Sequence, residues 1–139
     1  MTILKELSEG MDRKLIFTGC ILMALAVVAG AFGAHALQSL LDEKYLQTYH
    51  TAVNYHIYHS IALILTGILY PQAHQSLIQS AYRFYLLGLL LFCGSLYLMT
   101  LLTAFAKIRY GWLGAITPFG GLSFIIGWIL LAIAVKKGR

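Results

Sequence analysis

The amino-acid sequence predicts an all-α integral membrane protein in which four transmembrane helices form one bundle. Of its 139 residues, 60% are hydrophobic and only 11% are charged, and the mean hydropathy is +0.78. A soluble domain of this size needs a far more highly charged surface. Four apolar runs are each long enough to cross a bilayer as a helix, and all five acidic residues lie outside them.

The excess of positive charge does not indicate a nucleic-acid partner. The formal net charge is +5, but the basic residues are scattered at the ends of the apolar runs and form no stripe. Charges in these places orient a membrane protein and contact lipid headgroups, so the expected partner is the lipid bilayer. Cys20 and Cys93 lie inside apolar runs, which argues against a disulfide framework.

The N-terminal part of the chain contains a short polar segment and the first span. Residues 1–12 form either an amphipathic interfacial helix or a flexible tail. The span at about 14–34 has an apolar run of about 20 residues, longer than the ~7–15 of a signal peptide, so we expect a retained helix. Ala26, Gly30 and Ala34 are spaced four apart, which favours close helix packing in lipid.

The second span, at about 47–70, is polar in its first half and apolar in its second half. It ends at Pro71, which cannot continue a helix. The polar half contains His50, Asn54, Tyr55, His56, Tyr58 and His59. Because polar side chains are costly against lipid, this helix is predicted to be central in the bundle and covered by its neighbours.

The third and fourth spans complete the bundle. A polar loop at 72–79 precedes the third span, at about 84–105. The fourth span, at about 112–135, is interrupted at 117–121 by Thr-Pro-Phe-Gly-Gly, where a kink is expected. A basic tail at 136–139 closes the chain.

Residues 13–135 therefore form a single four-helix domain with both termini on one side. Basic residues on that side are Lys5, Arg13, Lys14, Arg83, Lys136, Lys137 and Arg139, against Lys44, Lys107 and Arg109 on the other. This bias predicts a multi-pass protein of the inner (cytoplasmic) membrane with both termini in the cytoplasm. The expected interface aromatics are Tyr45, Tyr49, Tyr110 and Trp112 outside, and Tyr70, Tyr82 and Tyr85 inside.

Depths estimated from a rise of ~1.5 Å per residue place the polar half of the second span level with small or kinked segments of the other three. Glycines predicted to allow close packing there are Gly30, Gly33, Gly94, Gly120 and Gly121. The same level contains a candidate buried polar network or ligand site, formed by His35, Asn54, Tyr55, His56, His59, Ser95 and Thr117.

Several roles for the histidines are compatible with this placement. The simplest is that they are neutral and hydrogen-bond within the bundle. A metal site would use His35, His56 and His59, although no carboxylate is near to orient the imidazoles. Haem ligation would need His35 or His50 as the second axial ligand, because His56 and His59 project from one side of a helix. No cofactor is required by the sequence, and no catalytic motif or residue is recognised.

Several stretches together resemble the domain-of-unknown-function 423 family, which includes YgdD-like bacterial inner-membrane proteins and a related small animal transmembrane protein. The stretches are 30–37, 54–63, Phe92–Tyr97, 117–121 and Gly127-Trp128, in the family's order and spacing. The resemblance covers about residues 12–135. It implies a small multi-span membrane protein, and it implies no established activity, cofactor or catalytic residue.

The favoured functional hypothesis is a non-enzymatic structural or accessory membrane component, acting as a homo-oligomer or within a larger membrane complex. The first alternative is a binding protein whose histidines line an intramembrane site for a metal, a haem, or a quinone- or lipid-like ligand. The second is a small transporter or channel, although no Asp, Glu, Lys or Arg lies in mid-membrane to relay ions.

Overall fold

The computed structural model of the chain describes residues 10–109 and 111–139. Within these ranges it contains no strand and four helices long and apolar enough to cross a membrane. The helices are α1 (Arg13–Leu37), α2 (Glu43–Leu69), α3 (Gln75–Ala106) and α4 (Gly111–Lys137). The predicted all-α, four-span fold is confirmed. The expectation for residues 1–12 falls mostly outside the described residues, which begin at Gly10.

Two of the acidic residues start the helices of the first hairpin. The carboxylate of Asp12 accepts hydrogen bonds from the backbone N–H groups of Lys14, at 3.0 Å, and Leu15, at 3.3 Å. Asp42 accepts from the backbone N–H of Tyr45 at 3.0 Å. Such N-caps satisfy backbone donors that the first turn of a helix leaves free. The caps explain why acids stand at the ends of apolar runs.

The four helices pack as two hairpins. α1 lies along α2, α4 lies along α3, and the contact between α2 and α3 joins the pairs. In its most apolar stretch, half of α2 is buried inside the protein, against 17% for α1. α2 is thus the most enclosed of the four helices, as its polar half leads one to expect.

The third helix begins earlier than expected from the polar loop. Regular helix starts at Gln75, so most of the stretch expected as a loop is helical. Ile78, Ala81 and Tyr85 are fully buried at helical spacing, and the polar residues between them occupy the outer face. When hydropathy is averaged along such amphipathic turns, the buried apolar residues and the exposed polar residues cancel, so the segment has the mean hydropathy of a loop. α3 also contains two π-helical segments, Leu89–Cys93 and Leu102–Ala106.

The expected kink in the fourth span is instead the start of its regular helix. A 3₁₀ turn occupies Gly111–Ala115, and the α-helix runs from Thr117 to Lys137 with Pro118 in its first turn. Proline is well tolerated at this place, because its missing N–H would have no partner within the helix. The 117–121 segment therefore sets where the helix begins.

Glycines allow the closest approaches between the helices. A Cβ on Gly33 would lie 2.5 Å from the ring of Tyr49, and one on Gly120 would overlap the backbone of Phe92. Gly30, Gly94 and Gly121 meet their neighbours only at ordinary distances. Close approaches not singled out in the sequence occur at Gly19, Gly67, Gly88 and Gly127.

Adjacent glycines of α4 provide a test of this packing. A Gly120→Ala substitution is expected to destabilise the protein by ~1–3 kcal/mol, because the added methyl group must push α3 away. Gly121→Ala is the matched control, since its Cβ would lie 3.8 Å from the Phe92 ring and the gain in helix propensity is the same. Thermal unfolding in detergent measures both variants, and equal Tm values would contradict the packing described.

Candidate functional site

His59 lies at the centre of the polar half of α2 and is 4% exposed. Its Nδ1 is 2.8 Å from the carbonyl oxygen of Tyr55, one turn earlier, so Nδ1–H donates to that oxygen. The indole Nε1–H of Trp128 in α4 donates to Nε2 of His59 at 3.2 Å. An indole only donates and a carbonyl only accepts, so the imidazole is the neutral Nδ1–H tautomer with both nitrogens engaged.

Aromatic rings enclose this imidazole. Phe124 of α4 stacks on it with ring centroids 3.4 Å apart and an interplanar angle of 12°. Tyr55 stacks at 5.9 Å and in turn stacks on Phe92 of α3 at 4.6 Å. Three helices therefore contribute rings to one cluster around His59. The cluster shields the histidine from lipid, as the polarity of α2 requires.

His56 lies in a different environment, although it is only three residues from His59. Its Nδ1 is 3.3 Å from the hydroxyl oxygen of Tyr97 in α3. It lines an apolar groove of about 290 Å³ to which α1, α2 and α3 contribute, together with Leu22, Leu86, Leu89, Leu90, Cys93, Gly94 and Tyr97. The two histidines therefore make separate contacts, His56 with α3 and His59 with α4.

Ser95 and Thr117 lie together, as their estimated depths suggest. The Ser95 hydroxyl donates to the carbonyl oxygen of Phe92 at 3.0 Å. The two hydroxyl oxygens are 2.9 Å apart, and because the Ser95 proton is already used, Thr117 donates to Ser95. This bond ties the start of the α4 helix to α3.

The structure does not bring the three candidate metal ligands together. His35 is exposed in the π-helical turn Gly33–Leu37 at the end of α1. His56 and His59 occupy the separate contacts given above. Within the described part of the chain, no three His, Cys, Asp or Glu side chains are placed to hold one metal ion. The sequence-based hypothesis of a shared site of His35, His56 and His59 is corrected to three separate environments.

Two tyrosines expected at the membrane interfaces are buried instead. Tyr49 packs against Gly33, and its hydroxyl donates to the carbonyl oxygen of Ala29 at 2.8 Å. Tyr85 lies edge-on to Trp128, with ring centroids 5.4 Å apart, and beside His59. Facing glycines make room for both rings. Close helix packing thus overrides the usual preference of tyrosine for the interface.

Sequence reasoning also missed several partners of His59, above all Phe124 and Trp128. These residues are four apart on α4, and Trp128 belongs to the Gly127-Trp128 pair already noted as part of the family resemblance. Helical spacing places two such residues on one face, which is the signal that could have found them. Spacing alone does not show that this face of α4 packs against His59 of α2.

Part of the polar half of α2 faces outward rather than into the bundle. Asn54, Tyr55 and Tyr58 are exposed on the protein surface. The two tyrosines border a groove between α2 and α4 of about 480 Å³, lined by Tyr55, Tyr58, His59, Phe92, Gly121, Phe124, Ile125 and Trp128. The expectation that neighbouring helices wrap this half of α2 therefore holds for His59 and not for Asn54.

These features define a class of small four-helix membrane protein whose bundle centre is fastened by histidine, hydroxyl and indole hydrogen bonds. A family model described as "Protein of unknown function (DUF423)" matches residues 29–121. The chain belongs to this family, and the resemblance stated from its motifs is confirmed.

Relatives with membrane-protein names extend this match along most of the chain. The UPF0382 membrane protein YwdK of Bacillus subtilis is 40% identical over 123 residues, covering 88% of this chain and 95% of that protein. The UPF0382 membrane protein SH2409 of Staphylococcus haemolyticus is 39% identical over 122 residues, covering 88% and 94%. No solved structure matches the chain. The relatives support a membrane protein of unknown biochemical activity.

A double-mutant cycle tests the hydrogen bond between α2 and α4. His59→Phe and Trp128→Phe should each lower Tm, and their effects should be coupled by about 0.6 kcal/mol and by no more than about 1.7 kcal/mol, the mean and the maximum for such bonds in membranes. His56→Phe combined with Trp128→Phe is the control pair and should be additive, because no contact joins these residues. Additive effects in the first pair would contradict the hydrogen bond.

Proposed function

We propose that this chain is a non-catalytic component of the cytoplasmic membrane, with a structural or accessory role that it performs through helix association. The observation that carries the proposal is that His59 uses both ring nitrogens in bonds to Tyr55 and Trp128. A general base or a metal ligand needs a free lone pair, and a general acid needs a proton that it can release. The most enclosed histidine offers neither without breaking one of these two hydrogen bonds.

The other polar contacts inside the bundle support the same role. The Thr117–Ser95 bond joins α4 to α3, and the bond from Tyr49 to Ala29 joins α2 to α1. Each pair uses a hydroxyl group that would otherwise face hydrocarbon. Polar side chains in membrane bundles commonly hold helices together in this way. These hydrogen bonds therefore hold the helices of one chain together.

The orientation of the chain is part of the proposal. Arg109 lies 3.7 Å from the carboxylate of Asp42 and 5.3 Å from the centre of the Tyr45 ring, so the loops α1–α2 and α3–α4 share one end. The backbone N–H of Asp12 donates to Gly67 at the other end. Among the described residues, the end with the termini carries six basic residues against three. This bias supports placing both termini in the cytoplasm.

Cysteine labelling tests the orientation. In a background with Cys20→Ala and Cys93→Ala, Lys107→Cys should react with a membrane-impermeant maleimide in intact cells. Arg139→Cys should react only after the cells are permeabilised. Both positions lie outside the spans, so the substitutions leave the bundle intact. Labelling in the reverse order would overturn the proposed orientation.

The composition of the purified protein tests the non-catalytic role. Protein extracted in mild detergent should contain less than one equivalent of any transition metal by elemental analysis, and its visible spectrum should lack a haem band. The matched variant is His59→Phe, which removes the ring nitrogens and keeps a planar ring. A stoichiometric metal or haem in the wild type that is lost in this variant would overturn the proposal.

The groove between α2 and α4 favours a second candidate function, the binding of a flat, quinone-like or other ring-bearing lipid. Its walls present the rings of Tyr55, Phe92, Phe124 and Trp128, and aromatic faces stack well on planar ligands. Organic extraction of the purified protein, followed by chromatography, separates the two candidates. One equivalent of such a lipid, displaced by Gly121→Leu, would favour binding over a purely structural role.

A further inference from the structure

One face of α2 turns away from the rest of the protein and is polar along its outer half. Gln47, Asn54 and Tyr58 follow one another at spacings of seven and four residues, and all three are exposed. The same face continues with exposed Ile61 and Leu65 in the other half. Among the described residues, nothing hydrogen-bonds the carboxamide of Asn54.

This carboxamide lies within the hydrocarbon layer. Asn54 is about 16 Å along α2 from its first residue, at a rise of ~1.5 Å per residue. The whole helix is about 40 Å long, and a bilayer core is about 30 Å thick, which places Asn54 roughly 10 Å inside the outer boundary. A carboxamide cannot find water there, and leaving it unbonded costs free energy. The Asn54 side chain therefore requires a partner at the same depth.

We propose that a second copy of this chain covers this α2 face and that the two Asn54 side chains hydrogen-bond each other. Copies inserted by the same route have the same orientation, so a twofold axis relating them runs along the membrane normal. Residues beside that axis meet their own counterparts at equal depth. A carboxamide has both a donor and an acceptor, so two of them form reciprocal bonds.

The surroundings of Asn54 are compatible with a second copy of this chain. No residue between positions 47 and 68 carries a formal charge with histidine neutral, so two copies of the face do not repel each other. The groove beside Tyr58 is open to apolar side chains from the opposite copy. Of the α1 residues spaced four apart, Ala26 is fully buried within the chain, Gly30 faces Val53 and Ala34 is exposed. The exposed α1 surface carries no polar side chain comparable to Asn54 at mid-depth, so the unbonded carboxamide favours α2 as the place of self-association.

The inference deepens the proposed function, on which it rests, because it names the partner in helix association. The α2 face lies in the dimer contact, and the exposed face of α1 remains in lipid.

Cross-linking in native membranes locates the contact. In the background lacking Cys20 and Cys93, Ile61→Cys should form a disulfide-linked dimer on oxidation. Ile21→Cys on α1 is the matched control, because it is exposed to a similar extent, 47% against 45%, and lies at a similar depth. It should remain monomeric. Dimers from Ile21→Cys alone, or from neither position, would overturn the proposal.

An association measurement tests the role of the carboxamide. In liposomes at varied protein-to-lipid ratio, single-molecule photobleaching should show that Asn54→Leu weakens dimerisation about 8- to 300-fold, the range for the loss of two hydrogen bonds in lipid. Asn54→Gln retains a carboxamide and should associate more strongly than Asn54→Leu. Because the residue is exposed, the Leu variant should keep the unfolding temperature of the monomer.

The outcomes separate this inference from the proposed function. Unchanged dimerisation of a folded Asn54→Leu variant, or a monomeric wild type, overturns the α2 contact and leaves the structural role in place. A stoichiometric metal or haem overturns the non-catalytic role and leaves the α2 contact in place. If Asn54→Leu does not fold, the two cysteine variants still decide the position of the contact.

Discussion

The constraint that the rest of the structure depends on is that polar groups within lipid must find partners inside the protein. α2 brings an unusual number of them into the membrane, and His59 is the most demanding. Its imidazole is satisfied by a carbonyl of its own helix and the indole of Trp128, with Phe124 stacked on the ring. The position of α4 follows from this requirement, since it must present Phe124 and Trp128 to His59.

Glycine placement makes these bonds geometrically possible. Tyr49 reaches the carbonyl of Ala29 only because Gly33 leaves room for its ring, and Tyr85 fits beside Trp128 because Gly127 faces it. Likewise, the close approach of Gly120 to Phe92 brings Thr117 within reach of Ser95. Small residues and hydrogen bonds thus act together, as expected where apolar burial gives little drive to association. The family and the relatives that match this chain are described without a biochemical activity, and these contacts are accounted for by helix packing.

The number of spans and the shared level of Ser95 and Thr117 could be predicted, because span length and depth are set by the bilayer and by the helical rise. The separation of His56 from His59 could not. Both face inward on a helical wheel, and only the positions of α1, α3 and α4 decide which groove each one enters. The sequence predicts Tyr85 at an interface because it gives the depth of the residue and does not show that Gly127 faces its ring. The start of α3 at Gln75 could not be predicted either, because its first turns contain as many polar as apolar residues.

The hairpin arrangement has a consequence for how the chain enters the membrane. The strongest helix contacts join neighbours in sequence, α1 with α2 and α3 with α4, so each hairpin can assemble as it leaves the ribosome. The bond from Trp128 to His59 spans 69 residues and forms only when the last helix is in place. During biogenesis, the imidazole of a newly inserted first hairpin therefore lacks its final donor. Arrival of α4 completes the polar centre and closes the assembly.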